Sequence, residues 1–328
     1  MRDDLLPASL SLDALRDAYG TIAHHVHRTP LLSSAFLGRQ IGSTALLKCE
    51  NLQKTGSFKP RGALNHLQRL DETVRQRGVV TVSAGNHAQA LAWAARTLGA
   101  PCTVVMPGSA SAAKAAASRG YGAEVVLHGT VFDAFDRAHA LEAERGLTFV
   151  HPFDDEHIVA GQASVGLEIL EQVPDVTVIV APIGGGGLIS GILAAVKQPR
   201  PSVKVYGVEP EGACAMRRSL DAGEPVRLDR VQTVADGLAP PMAGTLTYRV
   251  VRRYVDDVVT VRDDEILAAM RAILSRAKLV VEPSGAAAVA ALLGGRISID
   301  PADRVVAVLS GGNVEIGRLG ELLGDSNE

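Results

Sequence analysis

Gly78-Val79-Val80-Thr81-Val82-Ser83-Ala84-Gly85-Asn86-His87 is the stretch that decides the fold. A short apolar, β-branched run ends in a turn of small residues, and an alanine-rich segment over about 87–98 follows it. That order reads as strand, turn and helix. The unit then repeats, with strands over 103–106 and 123–127 and helices over about 110–119 and 130–145. Strands alternating with helices predict a parallel sheet covered on its faces, an α/β class.

Outward from there the pattern continues on both sides. After His151-Pro152 the chain predicts a helix near 158–173, a strand over 176–181, a glycine run and another helix. A strand over 203–208 ends at Glu209-Pro210; residues 222–250 read as loop; a strand near 257–261 leads to a helix over 265–278. The last strand, 305–309, ends in Ser310-Gly311-Gly312-Asn313. Upstream, Leu12, Leu15, Tyr19, Ile22 and Val26 predict a helix over about 11–27, and Arg28-Thr29-Pro30-Leu31 breaks it. His24, His25 and His27 do not have the spacing of a tetrahedral metal site and read as a surface helix end. Residues 45–50 read as a strand.

That strand runs into Lys54-Thr55-Gly56-Ser57-Phe58-Lys59-Pro60-Arg61-Gly62-Ala63-Leu64-Asn65. Ser57 is a candidate N-cap, and Pro60 suits a first helical turn, where a missing N–H costs nothing. Lys59 then sits at the positive end of a helix dipole, which disfavours its ammonium form. A neutral lysine amine is what a Schiff base requires.

Composition narrows the class. The chain has 328 residues, is 47% hydrophobic and 21% charged, and carries a formal net charge of −3. That balance points to neither nucleic acid nor a membrane surface, and aromatics at 4% weaken base stacking further. The N-terminus lacks the apolar core of a signal peptide, and no run reaches the length of a membrane span. Cys49, Cys102 and Cys214 never pair as Cys-x-x-Cys, so buried thiols in a reducing cytoplasm are expected.

Three strand ends carry chemistry, because open parallel sheets bind ligands outside the carboxyl ends of their strands. Gly184-Gly185-Gly186-Gly187-Leu188 follows a strand and opens a helix. Bare N–H groups and the helix dipole hold an anion there. The run matches neither the dinucleotide nor the P-loop spacing, so a small phosphate monoester is favoured. Ser83-Ala84-Gly85-Asn86-His87 offers N–H groups for a carboxylate and an amide for a hydroxyl or phenolate. Ser310 offers a hydroxyl that both donates and accepts, which suits a neutral ring nitrogen. No G-x-S-x-G elbow or H-E-x-x-H motif is present.

Together with Glu282-Pro283-Ser284-Gly285 and His151-Pro152-Phe153-Asp154, these segments resemble the fold-type-II pyridoxal-phosphate enzymes, in the threonine/serine dehydratase and serine racemase branch. The resemblance covers nearly the whole chain. It implies two domains, each an open, mostly parallel sheet flanked by helices as in the tryptophan synthase β chain. The small domain would span 50–150, the large one 1–49 with 151–328, and no C-terminal regulatory domain would follow.

The resemblance also implies roles. Lys59, preceded by Phe58, would hold pyridoxal 5′-phosphate as a Schiff base and then take the Cα proton of the substrate. Asn86 would meet the 3′-oxygen of the ring, Gly184, Gly185, Gly186, Gly187 and Leu188 the phosphate, and Ser310 the pyridine nitrogen. The loop of Ser83, Ala84, Gly85, Asn86 and His87 would hold the substrate carboxylate. The implied reaction is α,β-elimination from L-threonine or L-serine, giving 2-oxobutanoate or pyruvate plus ammonia, in a cytoplasmic homodimer or homotetramer.

Two departures qualify it. The racemases of this branch place a second serine where this chain has Ala84, which cannot carry a proton, so elimination is expected over racemisation. Their divalent-cation site would correspond to Glu209 and Ala213, but Ala215 replaces the aspartate, leaving a monovalent cation or none. Phe153 also stands where the racemases have an asparagine. Alternatives are a dehydratase of hydroxyaspartate or phenylserine, a serine racemase, and a catalytically silent cofactor-binding protein.

Overall fold

The computed structural model describes residues 6–324. Among the described residues ten strands form two sheets. They are β1 (Leu31–Ser33), β2 (Thr44–Cys49), β3 (Val79–Val82), β4 (Cys102–Met106), β5 (Glu124–Leu127), β6 (Thr148–Phe149), β7 (Val178–Pro182), β8 (Lys204–Pro210), β9 (Asp257–Val261) and β10 (Arg304–Leu309). The four-stranded sheet has the order β5-β4-β3-β6, and all its pairings are parallel. The six-stranded sheet has the order β1-β2-β10-β7-β8-β9, parallel except for the antiparallel β1–β2 pair. Helices cover the faces, as the βαβ alternation predicts. Every residue of β3, β4 and β7 is buried, which explains why these strands read as unbroken apolar runs rather than alternations.

Several elements differ from what the sequence predicts. The first helix stops at Ile22, leaving His24, His25 and His27 exposed beyond its end. Residues 222–250, expected to be loop, end in a helix from Thr245 to Tyr254 that the flanking glycines and prolines obscured. A helix over Pro283–Leu293 follows the Glu282 motif; its alanine-rich sequence, buried through Leu292, has no amphipathic period to read. The helix expected over 265–278 runs from Asp263 to Ala272 and passes into a π-helical turn over Ile273–Ala277. β1 and β6 are too short to show a pattern. Among the cysteines, Cys49 and Cys102 are buried and their thiols are pushed up to about 12 by burial, while Cys214 is only half-buried.

Three helices (Lys59–Arg69, Glu156–Gln172 and Gly187–Lys197) pack tightly, and glycines set how close they come. A Cβ on Gly62 would lie 2.7 Å from the Ile158 carbonyl, and one on Gly191 would lie 2.6 Å from the Ala163 nitrogen. The helix that opens at Lys59 is thereby held against the frame of the large sheet. Behind it lies a buried ionic cluster. Arg61 Nε donates to Glu50 at 2.8 Å and Nη1 to Glu168 at 2.7 Å, and Lys48 Nζ donates to Glu168 at 2.5 Å. All four side chains are fully buried, two cations against two carboxylates.

Candidate active site

Strand order brings the sequence motifs together. β10 lies between β2 and β7, so Ser310 at its carboxyl end neighbours the glycine run after β7. The segment before Lys59 is stitched to the same place. Ser57 pairs as an antiparallel bridge with Gly311, Phe58 N donates to the Ser310 carbonyl at 3.1 Å, and Gly312 N donates to the Gly56 carbonyl at 2.8 Å. This pairing explains why Ser57 is not the N-cap. It is drawn into an extended conformation, φ −159° and ψ 165°, and Phe58 takes the capping position without a side-chain bond. The Ser57 hydroxyl is left buried and without a hydrogen-bond partner. Pro60 does fall in the first turn.

Lys59 Nζ donates to the Pro152 carbonyl at 2.8 Å and lies 5.3 Å from the Phe58 ring centroid. Its pKa is lowered to about 8 by burial, against a smaller upward pull from Glu282. Desolvation, rather than the helix dipole, is the main cause.

The glycine run forms a cradle. Gly186 has φ +95°, a backbone region only glycine enters freely, and the helix of Gly187–Lys197 begins just after it. A Cβ on Gly184 would sit 2.9 Å from the Gly237 carbonyl, and one on Gly185 would lie 2.4 Å from atoms of the Phe153 ring. Leu188 is buried in the first turn. Thr247 Oγ1 donates to the Gly185 carbonyl at 2.6 Å. Asp154 accepts from the backbone of Thr245 and Leu246 at 2.9 Å each, fixing the next helix beside the loop. These N–H groups at a helix start, the poised amine and the unpartnered Ser57 hydroxyl suit an anionic aldehyde such as pyridoxal phosphate.

After β3, Ser83 Oγ accepts from Gly85 N at 3.2 Å and no atom lies near the Cβ position of Gly85, so the turn is open above the strand. Ala84 is half-buried against apolar neighbours. His87 is buried, its Nε2 lacks a partner, and burial with the charge of Lys59 holds its pKa well below the ordinary value. Asn86 opens the following helix and is engaged twice: Nδ2 donates to Glu282 Oε1 at 2.6 Å, and Oδ1 accepts from Asn313 Nδ2 at 2.8 Å. Ser310 Oγ reaches only the Ser284 carbonyl, at 3.4 Å. Glu282 and Asn313 carry no role in the sequence reading, although both lie in motifs that it singles out.

Glu209, a cation-ligand candidate from the sequence, is buried near the carboxyl end of β8. Its two carboxylate oxygens each accept a backbone N–H at 2.8 Å, from Met216 and Arg217, at the start of the helix that Ala215 opens. Burial pushes its carboxyl up to about 8. Among the described residues no group of three or more His, Cys, Asp or Glu side chains is set to hold a metal ion. No described helix is long and apolar enough to cross a membrane.

Residues 22–311 match the family model described as pyridoxal-phosphate dependent enzyme. The chain belongs to that family. The L-threonine ammonia-lyase of Thermotoga maritima is 45% identical to this pyridoxal-phosphate dependent enzyme over 316 residues, covering 96% of this chain and 78% of the relative. Among solved structures, maize serine racemase superposes with a TM-score of 0.92 at 39% identity, covering 95% of this chain and 96% of that one. The threonine deaminase of T.th. superposes with a TM-score of 0.88 at 43% identity, covering 93% of this chain and 99% of that one. Fold class and cofactor are therefore those that the sequence resemblance implied.

Proposed function

We propose that this enzyme dehydrates and deaminates L-threonine, L-serine or both, releasing 2-oxobutanoate or pyruvate and ammonia. The observation that carries the reading is the Lys59 amine, lowered to about 8 and held 2.8 Å from the Pro152 carbonyl, in a chain 45% identical to an L-threonine ammonia-lyase.

Bound pyridoxal phosphate supplies an electron sink that acidifies the substrate Cα–H and lets the β-hydroxyl leave. Lys59 would anchor the cofactor covalently, and its Nζ is the base that would take the substrate Cα proton. The Pro152 carbonyl accepts one N–H and so orients the Lys59 lone pair. Backbone N–H groups over Gly184–Leu188 would hold the phosphate, with the positive end of the Gly187–Lys197 helix behind them. Asn86 would donate to the 3′-oxygen, while Ser310 would face the ring nitrogen without imposing a charge there. The open turn of Ser83 to His87 would receive the substrate carboxylate. In this reading the chain divides into a small domain over 50–150 and a large one over 1–49 and 151–328, and assembles as a cytoplasmic homodimer or homotetramer.

The TM-score of 0.92 to maize serine racemase favours a second reading, racemisation. Ala84 argues against it: no side chain at that position can return a proton to the opposite face of Cα. Incubating the purified holoenzyme with each amino acid tests both readings. Keto acid and ammonia are expected from at least one substrate and should be abolished in Lys59→Ala. D-serine formed at a rate comparable to pyruvate would overturn the assignment.

A further inference from the structure

Asn86 has two ways of placing its amide, and only one of them presents an N–H rather than a carbonyl to a ligand oxygen. A chain of hydrogen bonds settles which one. It starts at the Thr55 backbone carbonyl, which can only accept, and Asn313 Nδ2 donates to it at 2.6 Å. The same Nδ2 donates its second hydrogen to Asn86 Oδ1 at 2.8 Å. Asn86 must then turn its own Nδ2 the other way, where Glu282 Oε1 accepts one hydrogen at 2.6 Å. Burial pushes the Glu282 carboxyl up to about 7, with the Asn86 bond pulling it back; as a carboxylate it only accepts, so above that pH both ends of the relay demand the same orientation, and the Thr55 carbonyl demands it at any pH.

Backbone geometry makes room for the relay. Gly311 leaves space where a Cβ would lie 2.6 Å from Glu282 Oε1 and 3.2 Å from Asn86 Nδ2. Gly56, at φ +75°, leaves space for the Asn313 amide, whose Cγ would lie 3.0 Å from a Cβ there. Thr55, at φ +57°, turns its carbonyl toward Asn313 in a conformation that residues with a Cβ seldom adopt. Thr55 is also four residues before Lys59, so the relay joins the lysine's own loop to Asn86.

We infer that Asn313 and Glu282 are positioning residues that lock the Asn86 amide with its remaining N–H free for the 3′-oxygen of the cofactor. This rests on the reading of Asn86 given above. Neither residue need touch the reacting atoms; each acts through Asn86. Losing the N–H donated to a phenolate removes a charge-assisted bond, an effect of about tenfold or more on the balance between ring protonation forms.

The test reads the visible absorbance of the lysine-bound cofactor, cofactor affinity, and kcat against KM in holoenzyme variants. Asn313→Asp keeps the shape but cannot donate to Thr55 or Asn86. It is expected to lower the visible band about tenfold relative to the ultraviolet form, to reduce kcat more than it raises KM, and to add nothing in an Asn86→Ala background. Glu282→Leu, which removes the acceptor at the other end, should shift the same band in the same direction. If Asn86→Ala itself leaves the spectrum unchanged, the assignment of Asn86 fails and the relay with it. If Asn86→Ala shifts the band while Asn313→Asp and Glu282→Leu do not, or lower only thermal stability, the relay alone is overturned. Effects of Asn313→Asp and Asn86→Ala that simply add would overturn it as well.

Discussion

Arg61 Nη1 donates to Glu168 Oε1 at 2.7 Å, so the helix that opens at Lys59 is pinned two residues later to a carboxylate on the Glu156–Gln172 helix. Burial pushes the neighbouring Glu50 carboxyl up, and Arg61, Lys48 and Thr29 more than offset it, leaving its pKa below the usual value. Breaking a buried charge set by removing one member leaves the others uncompensated, at a cost of about 3–5 kcal/mol. Arg61→Met is therefore expected to lose about that much unfolding free energy, measured by urea denaturation. A loss below about 1 kcal/mol would mean that the cluster is not held as the geometry indicates.

The Lys59 amine titrates near 8, so its nucleophilic form falls away below that pH. Recombination of apoenzyme with pyridoxal phosphate should speed up by about tenfold per pH unit below 8 and level off above it. Stopped-flow absorbance across a pH series checks this. A profile still rising steeply above pH 9 to about 10 would mean the amine keeps the value of an exposed lysine.

At Gly185 there is no room for a methyl group, because a Cβ would lie only 2.4 Å from atoms of the Phe153 ring. Gly185→Ala must displace either the ring or the loop, a strain of about 1–3 kcal/mol. Cofactor affinity measured by fluorescence quenching should weaken correspondingly, while Gly20→Ala, at an exposed position of the first helix with open space for a Cβ, should leave it unchanged. Equal affinity in Gly185→Ala and the parent would remove the cradle from the phosphate site.

Asp155 caps the Glu156–Gln172 helix, accepting from His157 N at 2.9 Å and Ile158 N at 2.8 Å, and it meets His66 Nδ1 at 2.9 Å. Burial pushes its pKa up, but the His66 bond and charge and the Ile158 N–H outweigh this, and it settles at about 2. A carboxyl depressed in the folded state stabilises above its unfolded value of 3.8 and loses that contribution as pH falls through about 2. Asp155→Ala should cost about 1–2 kcal/mol at neutral pH, the usual worth of such a cap, and the gap from the parent should close on acidification. A pH-independent gap in denaturation midpoints would contradict the titration.

How much of this is written in the sequence depends on which force shapes each element. β3, β4, β7 and β10 are apolar, β-branched runs, and parallel sheets buried on both faces select for such runs, so they can be read directly. The glycine run and Ser83 to His87 can be placed because strand ends in such sheets are where ligands collect. Ser57 reads wrongly as a cap because its conformation is set by a bridge to Gly311, more than 250 positions away, and no local pattern carries that information. Burial as the main cause of the lowered Lys59 pKa is equally hidden, since it depends on the tertiary packing around Pro152. Glu282 and Asn313 are visible as motif letters, but their role exists only in a chain of donors and acceptors that coordinates reveal.

The position of β10 also constrains how the chain can mature. Among the described residues β2 has no strand partner in the large sheet other than β1 and β10, and β10 is what connects that pair to β7. During synthesis the four-stranded sheet, complete at Phe149, can assemble while the larger one is still in two halves. Only when residues 304–309 emerge do the halves join, and the same event delivers Ser310 and Gly311 to the loop ahead of Lys59. A ribosome-bound chain lacking this strand would hold every glycine of the phosphate loop and the lysine itself, yet have no assembled site. Within the large sheet, the strand that precedes the lysine loop and the strand that precedes the phosphate loop are joined through β10.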